Sequence, residues 1–237
     1  TRQNRLADFP HYLMHRAEQL DNLYIFKNTE GTPENIRKFH PNIIVSSTGS
    51  APLLPPIAGL KDRIDNENHN IYSILGMISH INDFPKDLEG KKVVVVGGGA
   101  VGLDVVEFFA DRNADISIVE MMDQIGRDLD PVSKNDTKTM MKKHNVHQLT
   151  KTALLEVKDS SFLVRGDGEP YELPFEYGFV CLGMRAQGQL YQSLAEEFSS
   201  EDVEIMNIGD SQRARRIIDG TQEGRNILTI LEQKGYL

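Results

Sequence analysis

A chain of 237 residues, 39% hydrophobic and 26% charged, is long enough to bury a sizeable core, and its composition excludes a disordered or low-complexity polymer. Its 26 basic residues against 35 acidic ones leave a net charge of -9, which repels nucleic-acid phosphates and anionic lipid, and no apolar run approaches the roughly 20 residues that cross a bilayer. One cysteine, Cys181, excludes an internal disulfide and a redox dithiol, so a cytoplasmic setting is expected, with neither membrane nor nucleic acid as partner.

From the N-terminus, Phe9, Leu13 and Leu20 recur at helical spacing within residues 8–21, and residues 23–26 read as a short strand. Thr32, Pro33 and Glu34 open a brief helix with Pro33 in its first turn. Residues 42–47 form a strand that ends in Thr48 and Gly49, and residues 53–59, with Pro55 and Pro56, read as an extended linker. A second unit begins near Lys91 and Lys92. Residues 93–96 are a β-branched run suited to a buried parallel strand, Gly97, Gly98, Gly99, Ala100, Val101 and Gly102 follow at once, and Leu103, Val106, Phe109 and Ala110 then recur at helical spacing. Residues 116–119 form the next strand with Glu120 at its end, completing a βαβ unit. The spacing then predicts a polar helix over 131–143 and a hairpin or meander from 152–157 and 161–165. Further strands are predicted at 179–182 before Gly183 and at 203–208 before Gly209 and Asp210, and a last helix over about 213–232 turns Ile217, Ile218, Ile227 and Leu231 inward. Strands alternating with helices make the fold class α/β.

The glycine turn carries the chemistry. Gly97 permits the tight turn off the strand, Gly99 the approach of a pyrophosphate, and Gly102 the close packing of helix on sheet, while N–H groups at the helix start face the phosphates. Glu120, 18 residues past Gly102, stands where a carboxylate accepts hydrogen bonds from both ribose hydroxyls of an adenosine. Its charge opposes a 2′-phosphate, and Met121, Met122, Asp123 and Gln124 bring no cation to neutralise one, so NAD(H) is favoured over NADP(H). A solvated strand end is the alternative reading of Glu120.

Taken in order, residues 43–52, 91–120 and 203–224 resemble the two-dinucleotide-domain flavoprotein reductases, in which an NADH-binding domain is inserted into an FAD-binding domain. Residues 119–128 and 208–224 resemble, more narrowly, the C-terminal half of the NADH:flavin oxidoreductases that include 2,4-dienoyl-CoA reductase and enoate reductase. The resemblance implies a Rossmann-like NAD(H)-binding domain over 59–183, inserted into an incomplete FAD-binding α/β domain made of 1–58 and 184–237. The family's first FAD fingerprint, a glycine turn upstream of Thr48, is missing, and with Thr1 in place of an initiating Met the chain is expected to be a C-terminal fragment, inactive alone. The resemblance places Thr48 and Gly49 at the turn that returns the chain to the flavin domain. It counts Gly183, Gly209 and Asp210 among the cofactor-binding positions, with Asp210 on a ribityl hydroxyl of FAD, and sets Asp104 near the nicotinamide. It implies hydride transfer from NADH to FAD, then electron flow through a 4Fe-4S cluster to FMN in a barrel domain that reduces an activated C=C bond. FMN, cluster and barrel are expected only in absent parts of the parent chain, the barrel being a partner of this part, and no acid or base is assigned.

Two other functions fit the same residues: a non-catalytic ADP-binding module, resembling that of trimethylamine dehydrogenase, and an interaction domain that packs through its acidic surface and Arg213, Arg215 and Arg216. Asp104 in the first turn of its helix would be stabilised by the dipole whatever it binds, and Asp210 would serve equally as N-cap of the last helix. His11 and His15 share a helix face without a third metal ligand, His144 and His147 straddle a helix end, and Cys181 lies in an apolar strand, so no metal site is expected.

Overall fold

The computed structural model describes residues 4–236. The chain opens with α1 (Asn4–Glu18), α2 (Pro33–Arg37), β1 (Ile43–Ser46) and β2 (Ser50–Pro52). Thr32 caps α2, its hydroxyl accepting the Asn35 N–H at 3.2 Å, and Pro33 occupies the first turn, where its missing N–H costs nothing. α1 starts four residues before the expected helix and ends at Glu18, so Leu20 lies beyond it, and Phe9, Leu13 and Leu20 stay exposed, with no described element over them. Residues 23–26 form no strand, contrary to the sequence expectation. Apolar composition makes a strand only when a neighbour supplies the ladder, and among the described residues none pairs here. Phe26 instead packs on Phe39 at 5.3 Å between ring centroids.

The middle of the chain contains α3 (Leu60–Arg63), β3 (Ile71–Tyr72), α4 (Ile74–Ser79), β4 (Lys92–Val96), α5 (Ala100–Ala110), β5 (Asp115–Val119), α6 (Pro131–Lys143) and β6 (His147–Leu149). It continues through β7 (Ala153–Val157), β8 (Ser161–Arg165), β9 (Tyr171–Pro174) and β10 (Tyr177–Val180). Five of these strands build a parallel sheet in the order β3-β10-β4-β5-β6, with the valine run of β4 at its centre. The two-residue period of a strand divides that run between two faces. Val93 and Val95 pack with Val105, Val106 and Phe109 of α5, whereas Val94 and Val96 face Leu154, Val157, Phe162 and Val164 of an antiparallel β7-β8-β9 sheet. A run without polar residues is therefore the pattern of a strand covered on both sides. The sheet also starts earlier than Lys91 suggests, because β3 already belongs to it, and the strand expected at 179–182 lies two residues upstream.

Cys181 follows β10 in this core and is 7% exposed; burial, helped by the Asp104 charge, pushes its thiol from 9.0 up to about 12. A pKa raised in the folded state contributes stability that is complete below the unfolded value and lost as pH rises towards the folded one. Unfolding by urea should thus become easier above about pH 9, and Cys181→Ala should flatten that decline. An alkaline decline identical in the variant would remove Cys181 as its cause.

The chain closes with β11 (Met184–Ala186), α7 (Gln189–Glu197), β12 (Glu204–Asn207), a 3-10 turn at Gly209–Ser211 and α8 (Ile217–Gln233). β11 pairs antiparallel with β2, and β12 pairs parallel with β1. Ile44 of β1 packs with Leu194 and Phe198 in a third, small core. α8 seats Leu231 and partly buries Ile227, but Ile217 and Ile218 are 74% and 54% exposed, which corrects the inward orientation read from their spacing. They sit in the first turn of α8, where no described element lies over them. Among the described residues no helix is long and apolar enough to cross a membrane.

Candidate functional site

Because the five strands are parallel, their C-terminal ends share one edge, the place where open α/β sheets bind ligands. Gly97 leaves β4 there with φ +109°, and a Cβ on it would lie 2.2 Å from the Cys181 carbonyl oxygen. A Cβ on Gly102 would lie 1.9 Å from the Gly97 carbonyl, so α5 rests on the turn with no room for a side chain. Gly98 is hemmed in by Glu120, whose Oε2 would be 2.9 Å from an added Cβ. Gly99 differs: a Cβ there would meet nothing within 4 Å. It is the N-cap of α5, and among the described residues no side chain caps the N–H groups of Ala100, Val101 and Gly102 behind it. Three of the four glycines are demanded by the protein's own packing, and the fourth borders open space at an uncapped helix N-terminus. That arrangement fits a pyrophosphate.

Glu120 is half-buried and bonded at both oxygens, so it is no solvated strand end: Oε2 accepts the Gly98 N–H and Oε1 the Met122 N–H, each at 2.7 Å. The Gly126 N–H donates to the Gly98 carbonyl at 2.7 Å, folding residues 121–126 back onto the turn. Asp104 falls in the second turn of α5, which corrects its assignment to the first and leaves it less of the dipole. It borders a groove of about 360 Å³ shared with Ala100, Leu103, Glu107, Ser133 and Met140. Partial desolvation, then the Glu107 charge, pushes the Asp104 carboxyl above its usual range.

Of the residues assigned to the flavin side, Thr48, Gly49, Gly209 and Asp210 also converge. Thr48 and Gly49 precede every strand of the five-stranded sheet and the chain comes back only at β11, which corrects their reading as the returning turn. Thr48 Oγ1 donates to the Gln187 carbonyl at 2.6 Å, and the Gly49 carbonyl accepts the Gln187 N–H at 3.0 Å. Ser50 Oγ donates to Asp210 Oδ2 at 3.0 Å, and the Arg215 N–H donates to Asp210 Oδ1 at 3.1 Å. Ser50 was missed in the sequence because its partner lies 160 residues away. The Gly209 N–H donates to Glu223 Oε2 at 2.6 Å, and Glu223 also pairs with Arg215; these two contacts hold its carboxyl below the usual range. Gly183 lies at the other end of the β2–β11 pair, its carbonyl accepting the Leu53 N–H at 2.9 Å. Asp210 sits in the 3-10 turn and does not cap α8; Arg216 occupies the N-cap, its backbone N–H donating to Asp219.

The remaining candidates are dispersed. Arg213 is exposed, Arg215 is paired and Arg216 caps a helix. His15 Nε2 lies 3.1 Å from Gln19 Nε2, and among the described residues no cluster of His, Cys, Asp and Glu could hold a metal. His144 ends α6, whereas His147 belongs to β6, 3.3 Å from Asp115.

The family model described as pyridine nucleotide-disulphide oxidoreductase matches residues 16–206. A metal reductase of Desulforamulus reducens is 26% identical over 258 residues, covering 92% of this chain and 36% of that protein. An NADH oxidase of Thermoanaerobacter brockii is 26% identical over 192 residues, covering 81% of this chain and 28% of that protein. The structure of a 2-naphthoyl-CoA reductase in complex with 2-naphthoyl-CoA superposes with a TM-score of 0.75 at 21% identity, covering 92% of this chain and 31% of its own. The chain thus spans about a third of the length of these proteins.

Proposed function

Because the chain belongs to the pyridine nucleotide-disulphide oxidoreductase family, we propose that it is the electron-input portion of an NADH-dependent flavin oxidoreductase, which reduces an activated C=C bond of the enoate or dienoyl-CoA class. The fold is the α/β two-dinucleotide-binding flavoprotein fold, and the family is one of NAD(P)H-dependent flavoenzymes. The division that goes with this reading is an NAD(H) domain over 59–183 and a flavin side made of 1–58 and 184–237, with FMN and a 4Fe-4S cluster belonging to other parts of the enzyme. The acyl-CoA named with the 2-naphthoyl-CoA reductase supports that substrate class.

The observation that carries the reading is the glycine turn, where Gly99 alone has open space and Glu120 is locked beside it. When bound, the nicotinamide and the flavin supply the hydride donor and acceptor; the protein orients them and shields them from water. Ala100, Val101 and Gly102 offer N–H groups to a pyrophosphate, Glu120 offers carboxylate oxygens to the ribose hydroxyls, and Asp104 lies one turn further along the same helix. Ser50 and the Arg215 N–H hold Asp210 in a fixed orientation, so its carboxylate would meet a ribityl hydroxyl without reorganising. The backbone turn at Thr48 and Gly49 lies beside it.

Calorimetric titration of the chain tests this reading. NADH should bind at least tenfold tighter than NADPH, about 1.4 kcal/mol, from the hydrogen bonds and charge of Glu120. Absence of NADH binding would sink the reading. ADP binding as tightly as NADH would leave the nicotinamide half without a contact and favour the non-catalytic nucleotide module.

A further inference from the structure

Met121, Met122, Asp123 and Gln124 bring no cation to the ribose end of the site, but the neighbouring strand of the sheet does. β6 lies beside β5 and runs parallel to it, so the turn that leaves β6 emerges at the same edge, next to Glu120. Two backbone bonds fasten that turn to the segment after β5: the Lys151 N–H donates to the Met122 carbonyl and the Thr152 N–H to the Glu120 carbonyl, each at 2.9 Å. Between them Lys151 is held at φ +51°, a left-handed conformation that a lysine adopts only where its surroundings impose it. Its position is therefore set by the same backbone that positions Glu120. Lys151 is exposed and joins no salt bridge among the described residues.

We propose that Lys151 is a specificity-determining residue of the nucleotide site: it is the cation that a 2′-phosphate on the adenosine ribose meets beside Glu120, and it keeps NADPH as a weaker second ligand where Glu120 unopposed would exclude it. The inference rests on the reading of Gly97 to Glu120 as the NAD(H) site. Glu120 and Lys151 act in opposite senses. The carboxylate rewards the free 2′-hydroxyl and repels a phosphate, whereas the ammonium group, a strongly hydrated point charge, attracts the phosphate and gives little to a neutral ribose.

The test is calorimetric titration of the 237-residue chain and two charge-reversed variants with NADH and NADPH. Lys151→Glu should raise the ratio of the NADPH to the NADH dissociation constant by about fivefold, the size expected of a solvent-screened charge contact. Lys86→Glu makes the same change in net charge at an exposed site before β4, at the opposite edge of the sheet, and should leave the ratio unaltered. Lys151→Asn, which keeps a residue tolerant of the left-handed conformation while removing the charge, should raise the ratio by about twofold and guards against misfolding of the first variant. An unaltered ratio in both Lys151 variants, or an equal change from Lys86→Glu, would overturn the role of Lys151 while NADH binding still stood. A chain that binds neither nucleotide would overturn the site itself.

Discussion

Gly102→Ala should lower the melting temperature by roughly 10 °C and abolish NADH binding, an effect of about 3–5 kcal/mol in a chain of this size. The added Cβ would fall 1.9 Å from the Gly97 carbonyl oxygen, and both contacting groups are backbone, so neither relieves the clash by a rotamer change. To make room, α5 would have to lift away from β4. It would take Val105, Val106 and Phe109, none of which exposes any measurable surface, out of contact with Val93 and Val95. Overpacking a rigid site costs more than the methyl group returns. Gly99→Ala is the matched control, because its Cβ enters open space. Its stability should fall by no more than about 1 kcal/mol, the difference between glycine and alanine at an N-cap, while NADH affinity drops sharply. Thermal unfolding and calorimetry on the two variants separate a glycine kept for folding from one kept for a ligand. Equal melting temperatures for both would show that helix and turn are not in the contact described.

Glu120→Ala should both destabilise the protein, by about 2–3 kcal/mol, and erase the preference for NADH. Its two oxygens accept the Gly98 and Met122 N–H groups at 2.7 Å, so one side chain ties the glycine turn to the end of β5. Truncation leaves two backbone donors without a partner, one of them in the turn that would face the pyrophosphate. The charge that opposes a 2′-phosphate goes at the same time. Glu120→Gln distinguishes the two effects: it retains one carbonyl oxygen, recovers part of the stability, and still narrows the gap between NADH and NADPH. Melting curves that leave Glu120→Ala as stable as the parent would show that the two hydrogen bonds contribute nothing net. A tenfold preference for NADH that persists in both variants would place nucleotide selection elsewhere.

Much of this was legible from local pattern. The Val93–Val96 run, Gly97, Gly99 and Gly102, and the helix over 131–143 are dictated by residues close together in the chain, and the structure has them where spacing put them. Local pattern failed where it needed a neighbour it could not see. Among the described residues, 23–26 have the composition of a strand and no partner strand, and Ile217 and Ile218 have helical spacing and no core beneath them.

The sequence by itself determined the α/β class, the strand–glycine turn–helix unit and the acid at the end of the second strand, because propensity, period and backbone conformation act over a few residues. Only the tertiary structure decided which glycines the fold itself requires and how Glu120 is held 22 residues from Gly98. It also decided that Ser50 reaches Asp210 across 160 residues, and that Lys151 comes to rest beside Met122. Those contacts follow from the order of strands in a sheet. That order is set by the burial of both faces of β4 at once, a property of the whole core that no window of the chain contains.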